Sequence, residues 1–160
     1  MESRLNPAKA SPAAYHAMLA LESYVGKLFA SEPLLLELVK MRSSQINGCA
    51  YCLDMHSKDA RAKGESEQRL YALNAWRETP FFSERERAAL GWAEALTLVA
   101  EAHVPDEVFE KTRKHFSEEE LMNLSLAIVA INGWNRLAIA FRAVPGNYQP
   151  LQRSNATTSA

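Results

Sequence analysis

Two cysteines in 160 residues are too few for a disulfide-built scaffold. A chain of this length buries roughly 70% of the surface its unfolded form exposes, so a core forms without such staples. The two thiols are therefore left for redox or metal chemistry. Glycine is sparse as well. Gly26, Gly48, Gly64, Gly91, Gly133 and Gly146 stand singly, and none belongs to a clustered loop that would cradle the phosphates of a nucleotide or flavin. No excess of one charge exists either: eighteen Lys+Arg against nineteen Asp+Glu leave a net charge of −1, with no positive field to gather nucleic acid. The N-terminus has neither the apolar stretch of a secretory signal nor the arginines of a transit peptide, and a cytoplasmic protein is expected. The longest apolar stretch, Leu121 to Val144, is interrupted by Asn123, Asn132, Asn135, Arg136 and Arg142. In lipid those groups would lack partners, so the stretch reads as a buried helix of a soluble protein with no membrane partner. Finally, no apolar and polar residues alternate in a way that makes a convincing strand.

What the chain does have is helix punctuation. Ser11-Pro12 is a capping residue followed by proline at the first helical position, opening a helix to about Phe29. Ser31-Glu32-Pro33 opens the next, with Leu34, Leu38, Met41 and Gln45 on one stripe and Leu35, Val39 and Ile46 on an adjacent one, and Asn47-Gly48 ends it. A third helix is expected from near Cys49 to Gly64, and a fourth from Ser66 to the break at Thr79-Pro80. Ser83-Glu84-Arg85-Glu86 and Ser117-Glu118-Glu119-Glu120 are capping boxes that open the two longest helices, with a short helix from Asp106 to Lys114 between them. The expected architecture is an all-α, compact multi-helix bundle in one domain over residues 1–148, followed by a polar, irregular tail at 149–160. The helix from Glu118 to about Ala143 is apolar on more than one face, which is resolved by a central position or by symmetric association; a homo-oligomer is expected.

Chemistry concentrates in Cys49-Ala50-Tyr51-Cys52-Leu53-Asp54-Met55-His56, preceded by Glu37 with eleven residues intervening. Residues three and four apart share a helix face, which aligns Cys49, Cys52 and His56. Thiols in a first helical turn lie near unpaired backbone N–H groups and the positive end of the helix dipole, and both favour thiolate. Such a pair can attack an electrophilic oxygen or sulfur and then close a local disulfide. His56 can take a proton from a thiol or stabilise its anion. Glu37, returned by the Asn47-Gly48 turn, can hold a proton or orient a water. Taken alone, Glu37 would be a solvated partner of Lys40, His56 an ordinary histidine, and the cysteines small core residues. Competing readings of the Cys-x-x-Cys pattern narrow the field. Covalent haem attachment needs histidine where Leu53 stands, and a thioredoxin-like site needs flanking strands. His16, His103 and His115 are scattered, so a closed zinc site has no second ligand pair, although zinc held by Cys49, Cys52, His56 and Glu37 stays open. Trp92, Trp134, Phe81, Phe82 and Met55 are candidates for an apolar access pocket, with core packing as their default. Asn132 and Asn135 are expected as buried hydrogen-bonding groups.

The Glu37, Cys49-x-x-Cys52 and His56 pattern in an all-helical chain resembles the AhpD-type alkylhydroperoxidases of the carboxymuconolactone decarboxylase superfamily. The stretch from Ser44 to His56, and its continuation to Thr79-Pro80-Phe81-Phe82, is similar to the shorter single-domain members, with the likeness spanning about residues 10 to 147. The resemblance implies a helical bundle assembling as dimers, trimers or hexamers, and a hydroperoxide substrate reduced by a cysteine pair with no cofactor. It implies Cys52 as the peroxidatic thiolate, oxidised to a sulfenic acid that Cys49 resolves, His56 and Glu37 as a proton relay, and an external dithiol or protein reductant. The helix argument alone favours Cys49 as the more exposed sulfur. Familiar members of the family carry a second histidine between the cysteines; here Tyr51 stands there, and a phenol titrates at about pH 10, implying a shorter relay. Decarboxylases of the superfamily lack the cysteine pair, which argues against decarboxylation. The alternatives are a non-catalytic redox-sensing module and a metal-binding module.

Overall fold

The computed structural model describes residues 2–150, and among these every regular element is helical. Helix α1 (Pro7–Ala10) and helix α2 (Pro12–Leu28) both begin with proline in the first turn, and Asn6 caps α1 by accepting the Lys9 N–H at 3.1 Å. The sequence reading found α2 and passed over α1, although Asn6-Pro7 carries the same kind of signal as Ser11-Pro12. Helix α3 (Pro33–Asn47) ends at Gly48, whose φ of 68° is the left-handed conformation that a side chain would strain. Helix α4 (Ala50–Ala62) follows immediately, with Cys49 as its N-cap.

The single helix expected after Ser66 is two pieces, α5 (Glu67–Ala72) and a 3₁₀ segment over Leu73–Glu78. The reason is Trp76: the chain leaves helical geometry at Ala75, turning the indole into the core, where its N–H donates to Glu94 at 2.8 Å. Helix α6 (Glu84–Thr97) and helix α9 (Glu118–Phe141) start at complete capping boxes, formed by Ser83 with Glu86 and by Ser117 with Glu120; α9 is the longest helix as expected, but α6 is shorter than α2 and α3. Between them lie α7 (Val99–Ala102) and α8 (Asp106–Thr112). Residues 151–160 of the expected tail lie outside the described residues.

The enclosed helix is α3, which packs against α4, α6 and α9. Its middle is buried on every side, from Leu35 to Met41 without a break, and that run includes Glu37 and Lys40. Helix α9, expected to be buried, is embedded along one stripe only, because α3 and not α9 takes the enclosed position. Leu121, Leu124, Ala127, Ile128, Ile131 and Asn135 point inward at helical spacing, while Met122, Val129 and Ile139 are exposed. It is long and apolar enough to cross a membrane by length and composition, but that inward stripe is core of this bundle.

A polar seam fastens α9 to the end of α3. Asn47 Nδ2 donates to Asn132 Oδ1 at 2.9 Å and to Asn135 Oδ1 at 2.8 Å, and Asn135 Nδ2 donates to Ser44 Oγ at 3.0 Å. The expected role of Asn132 and Asn135 as buried hydrogen-bonding groups is what the structure shows, and their partners include Asn47, beside the turn that sets the direction of α4. Asn135→Ala should lower stability by about 2–3 kcal/mol, through a small cavity and two deprived partners. A lower urea midpoint with an unchanged m-value would show it; an unchanged midpoint would mean that the seam contributes nothing.

Candidate active site

Cys49 and Cys52 lie at the N-cap and in the first turn of α4, with Cα atoms 5.4 Å apart, and are joined as a disulfide. The Cys52 N–H points at Cys49 Sγ from 3.4 Å. The helix start therefore sets a main-chain donor on the sulfur pair at the positive end of the helix dipole, a setting that favours thiolate once the bond is reduced. One turn further on, His56 Nδ1–H donates to Glu37 Oε2 at 2.8 Å, with both side chains buried. The other Glu37 oxygen accepts from Lys63 Nζ, on the residue that caps the C-terminal end of α4. Burial alone would raise the Glu37 carboxyl, but it is outweighed by the hydrogen bond and charge of His56, the charge of Lys40 and the Lys63 hydrogen bond. The net result holds Glu37 down at about 2, from an ordinary 4.5. Glu37 is thus a fixed anion that orients the imidazole. With Nδ1 so engaged, Nε2 has no hydrogen-bond partner among the described residues and is the nitrogen free to handle protons.

A cavity of about 690 Å³ opens onto this group. Its walls are mainly apolar, including Tyr15, Leu36, Met55, Trp134, Leu137 and Phe141, and Cys52, His56 and Glu37 lie on its lining. Cys49 does not. Here the structure corrects the helix argument: Cys49 is not the more open sulfur, since the residues are 1% and 2% exposed respectively and only Cys52 meets the cavity. The cause is the capping geometry, which turns Cys49 back beneath the first turn. The isolated reading of Glu37 as a solvated partner of Lys40 fails too. Glu37 is enclosed, and Lys40 pairs instead with Glu22, which also accepts the Trp134 N–H at 3.2 Å.

Of the aromatic and sulfur candidates, Met55 and Trp134 line the cavity, Trp92 and Phe82 are core, and Phe81 is exposed. Tyr51 is half-buried in the lining, and burial, together with Tyr15 and Asp54, pushes its phenol above the ordinary 10, so it is a neutral hydroxyl. The sequence reading missed Asp59, Lys63 and Tyr148. Asp59 and Lys63 lie three and seven residues after His56 and could have been found by extending its stripe; nothing in the sequence pattern pointed to Tyr148. Donor atoms of Glu37, His56 and Asp59 lie within 4.8 Å of one another, a spacing able to take a cation. However, Lys63 already neutralises Glu37, and the Tyr148 hydroxyl donates to Asp59 at 2.8 Å. Both carboxylates of the cluster are thus already engaged, Glu37 by His56 and Lys63 and Asp59 by Tyr148.

The described model of the carboxymuconolactone decarboxylase family matches residues 12–95. The YdfG protein of Bacillus subtilis is 44% identical over 140 residues, spanning 88% of this chain and 95% of that protein. Among solved structures, a protein of unknown function from Agrobacterium tumefaciens, whose description connects it with the antioxidant defence protein AhpD, superposes with a TM-score of 0.86. It is 47% identical and covers 94% of this chain and 100% of its own. The debrominase Bmp8 superposes with a TM-score of 0.66 at 26% identity, over 78% of this chain and 70% of its own. With the matched family region, these likenesses and the helical architecture in agreement, this chain belongs to the carboxymuconolactone decarboxylase family, as one of its AhpD-like members.

Proposed function

We propose that the protein is a thiol-dependent hydroperoxide reductase in which Cys52 is the attacking thiolate. The observation that carries this reading is the cavity that ends on Cys52 and His56 while its disulfide partner Cys49 lies behind. The reduced Cys52 thiolate attacks the terminal oxygen of the hydroperoxide and the O–O bond breaks. Cys52 becomes the sulfenic acid, and the departing alkoxide takes from His56 Nε2 the proton that this nitrogen had accepted from the Cys52 thiol, leaving as the alcohol. The Cys49 thiol then attacks the Cys52 sulfur, the S–O bond breaks, and hydroxide leaves as water with the thiol proton. The two thiols have supplied both electrons, and an external dithiol or protein reductant restores them by exchange. Glu37 keeps the His56 ring oriented through the cycle. The exposed Met122, Val129 and Ile139 on α9 support self-association as the working form.

Titration of the reduced protein with an organic hydroperoxide tests this directly. One equivalent should remove both thiols, yield the alcohol and leave a monomer mass lower by two hydrogens, with no bond between chains; added dithiol should give repeated turnover. Oxidation that occurs once and never turns over with dithiol would replace the enzyme with a redox sensor. Stoichiometric zinc in the reduced protein, held against peroxide, would favour the metal-binding reading. Because the Bmp8 debrominase shares this fold and has been solved in complex with 2,3,4-tribromopyrrole, that pyrrole belongs in the same assay; preference for it over every hydroperoxide would overturn the assigned substrate class.

A further inference from the structure

Beyond α9 the chain does not run off the surface. It turns at Arg142, with φ of 52°, passes Pro145-Gly146, and is fastened to α4 by three of that helix's side chains. The Gly146 N–H donates to Asp54 Oδ2 at 3.0 Å. Lys58 Nζ donates to the carbonyl oxygens of Gly146 and Tyr148 at 3.2 and 3.1 Å. The Tyr148 hydroxyl donates to both Asp59 oxygens, at 2.8 and 3.0 Å. Asp54, Lys58 and Asp59 therefore do no chemistry on sulfur in the proposed cycle, yet together they fix one short segment. The segment puts the Tyr148 side chain into the lining of the cavity that also holds His56, Asp59 and Lys63. A segment that needed only docking could have used any of these contacts; this one carries an aromatic ring into the wall beside the proton-handling group.

The geometry points to Tyr148 as a specificity-determining residue: latched to Asp59, its ring forms the cavity wall beside His56 and limits the bulk of the organic hydroperoxide that reaches Cys52. The inference rests on the reading of Cys52 as the attacking sulfur. It also predicts a hierarchy. Removing the ring opens the wall outright, whereas removing only the latch, from either end, lets the ring move aside.

The experiment uses the full chain, reduced, and compares alkylation at Cys52 by compact iodoacetamide and by bulky N-pyrenylmaleimide, read by peptide mass spectrometry. Tyr148→Ala should raise the bulky-to-compact rate ratio by about tenfold or more, the scale on which an apolar pocket discriminates size. Tyr148→Phe and Asp59→Asn should raise it in the same direction by less. An unchanged ratio in Tyr148→Ala overturns the inference, and so does an equal rise for both reagents, which is general loosening and not an opened wall. Alkylation consumes no peroxide, so this result stands apart from the functional reading. Peroxide turnover with an unchanged ratio would remove only the role of Tyr148, while an altered ratio without turnover would keep the wall and remove the peroxidase.

Discussion

Cys52→Ser should lose dithiol-dependent hydroperoxide reduction almost entirely, with kcat/KM down by at least about 10³-fold, because the variant has no nucleophile for the covalent route. Cys49→Ser should behave differently. It keeps the sulfur that meets the cavity, so it should consume one equivalent of hydroperoxide at a rate close to that of the unaltered protein and stop as the sulfenic acid, which dimedone traps. The contrast between the two variants, one silent and one arrested after a single turnover, tests the order of the sulfurs. If Cys49→Ser is silent and Cys52→Ser gives the single turnover, the assignment reverses, and the cavity is not the route by which peroxide arrives. If both retain full turnover, the chemistry lies elsewhere on the molecule.

Much of this site was legible in the sequence because it depends on helical spacing. The three- and four-residue intervals from Cys49 to Cys52 to His56 fix their common face, and Gly48 both ends α3 and returns the chain so that Glu37 meets His56. Helix starts were equally legible, since Ser11, Ser66, Ser83 and Ser117 mark them by local hydrogen bonding or a following proline. What local spacing does not contain is depth. Nothing in the periodicity of α3 distinguishes an exposed Glu37 from a buried one, because enclosure by α4, α6 and α9 is a tertiary fact. The same holds for Cys49, whose turn beneath the cap decides which sulfur faces the cavity. Tyr148 was out of reach for a further reason: it reaches α4 from a segment with no repeating pattern, held by side chains about ninety residues earlier in the chain. The break at Ala75 belongs with these, since it follows from the need to seat Trp76 against Glu94 and not from any local helix breaker.

Glu37→Gln should be the most informative single change away from sulfur, because it separates the anion from its shape. Glu37 is held at about 2 in the folded protein against 4.5 ordinarily, despite burial and because of His56, Lys40 and Lys63. The folded state therefore binds fewer protons at this group than the unfolded state does. Its contribution is full above about pH 4.5 and is lost as pH falls towards about 2; the shift corresponds to about 3 kcal/mol. At neutral pH the glutamine variant should be less stable by that order, with Lys63 and His56 left beside a neutral amide. It should also lose about 10²-fold or more in kcat, because in the proposed cycle the amide no longer fixes the imidazole that returns a proton to the leaving oxygen. Urea unfolding of both proteins from neutral pH down to about pH 3 checks the first expectation, since other carboxylates titrate alike in the two and cancel in the difference. The two stability curves should converge as acid is added. Parallel curves would mean that Glu37 fills space without acting as a charge, and the oriented His56 on which the proposed proton delivery depends would lose its anchor.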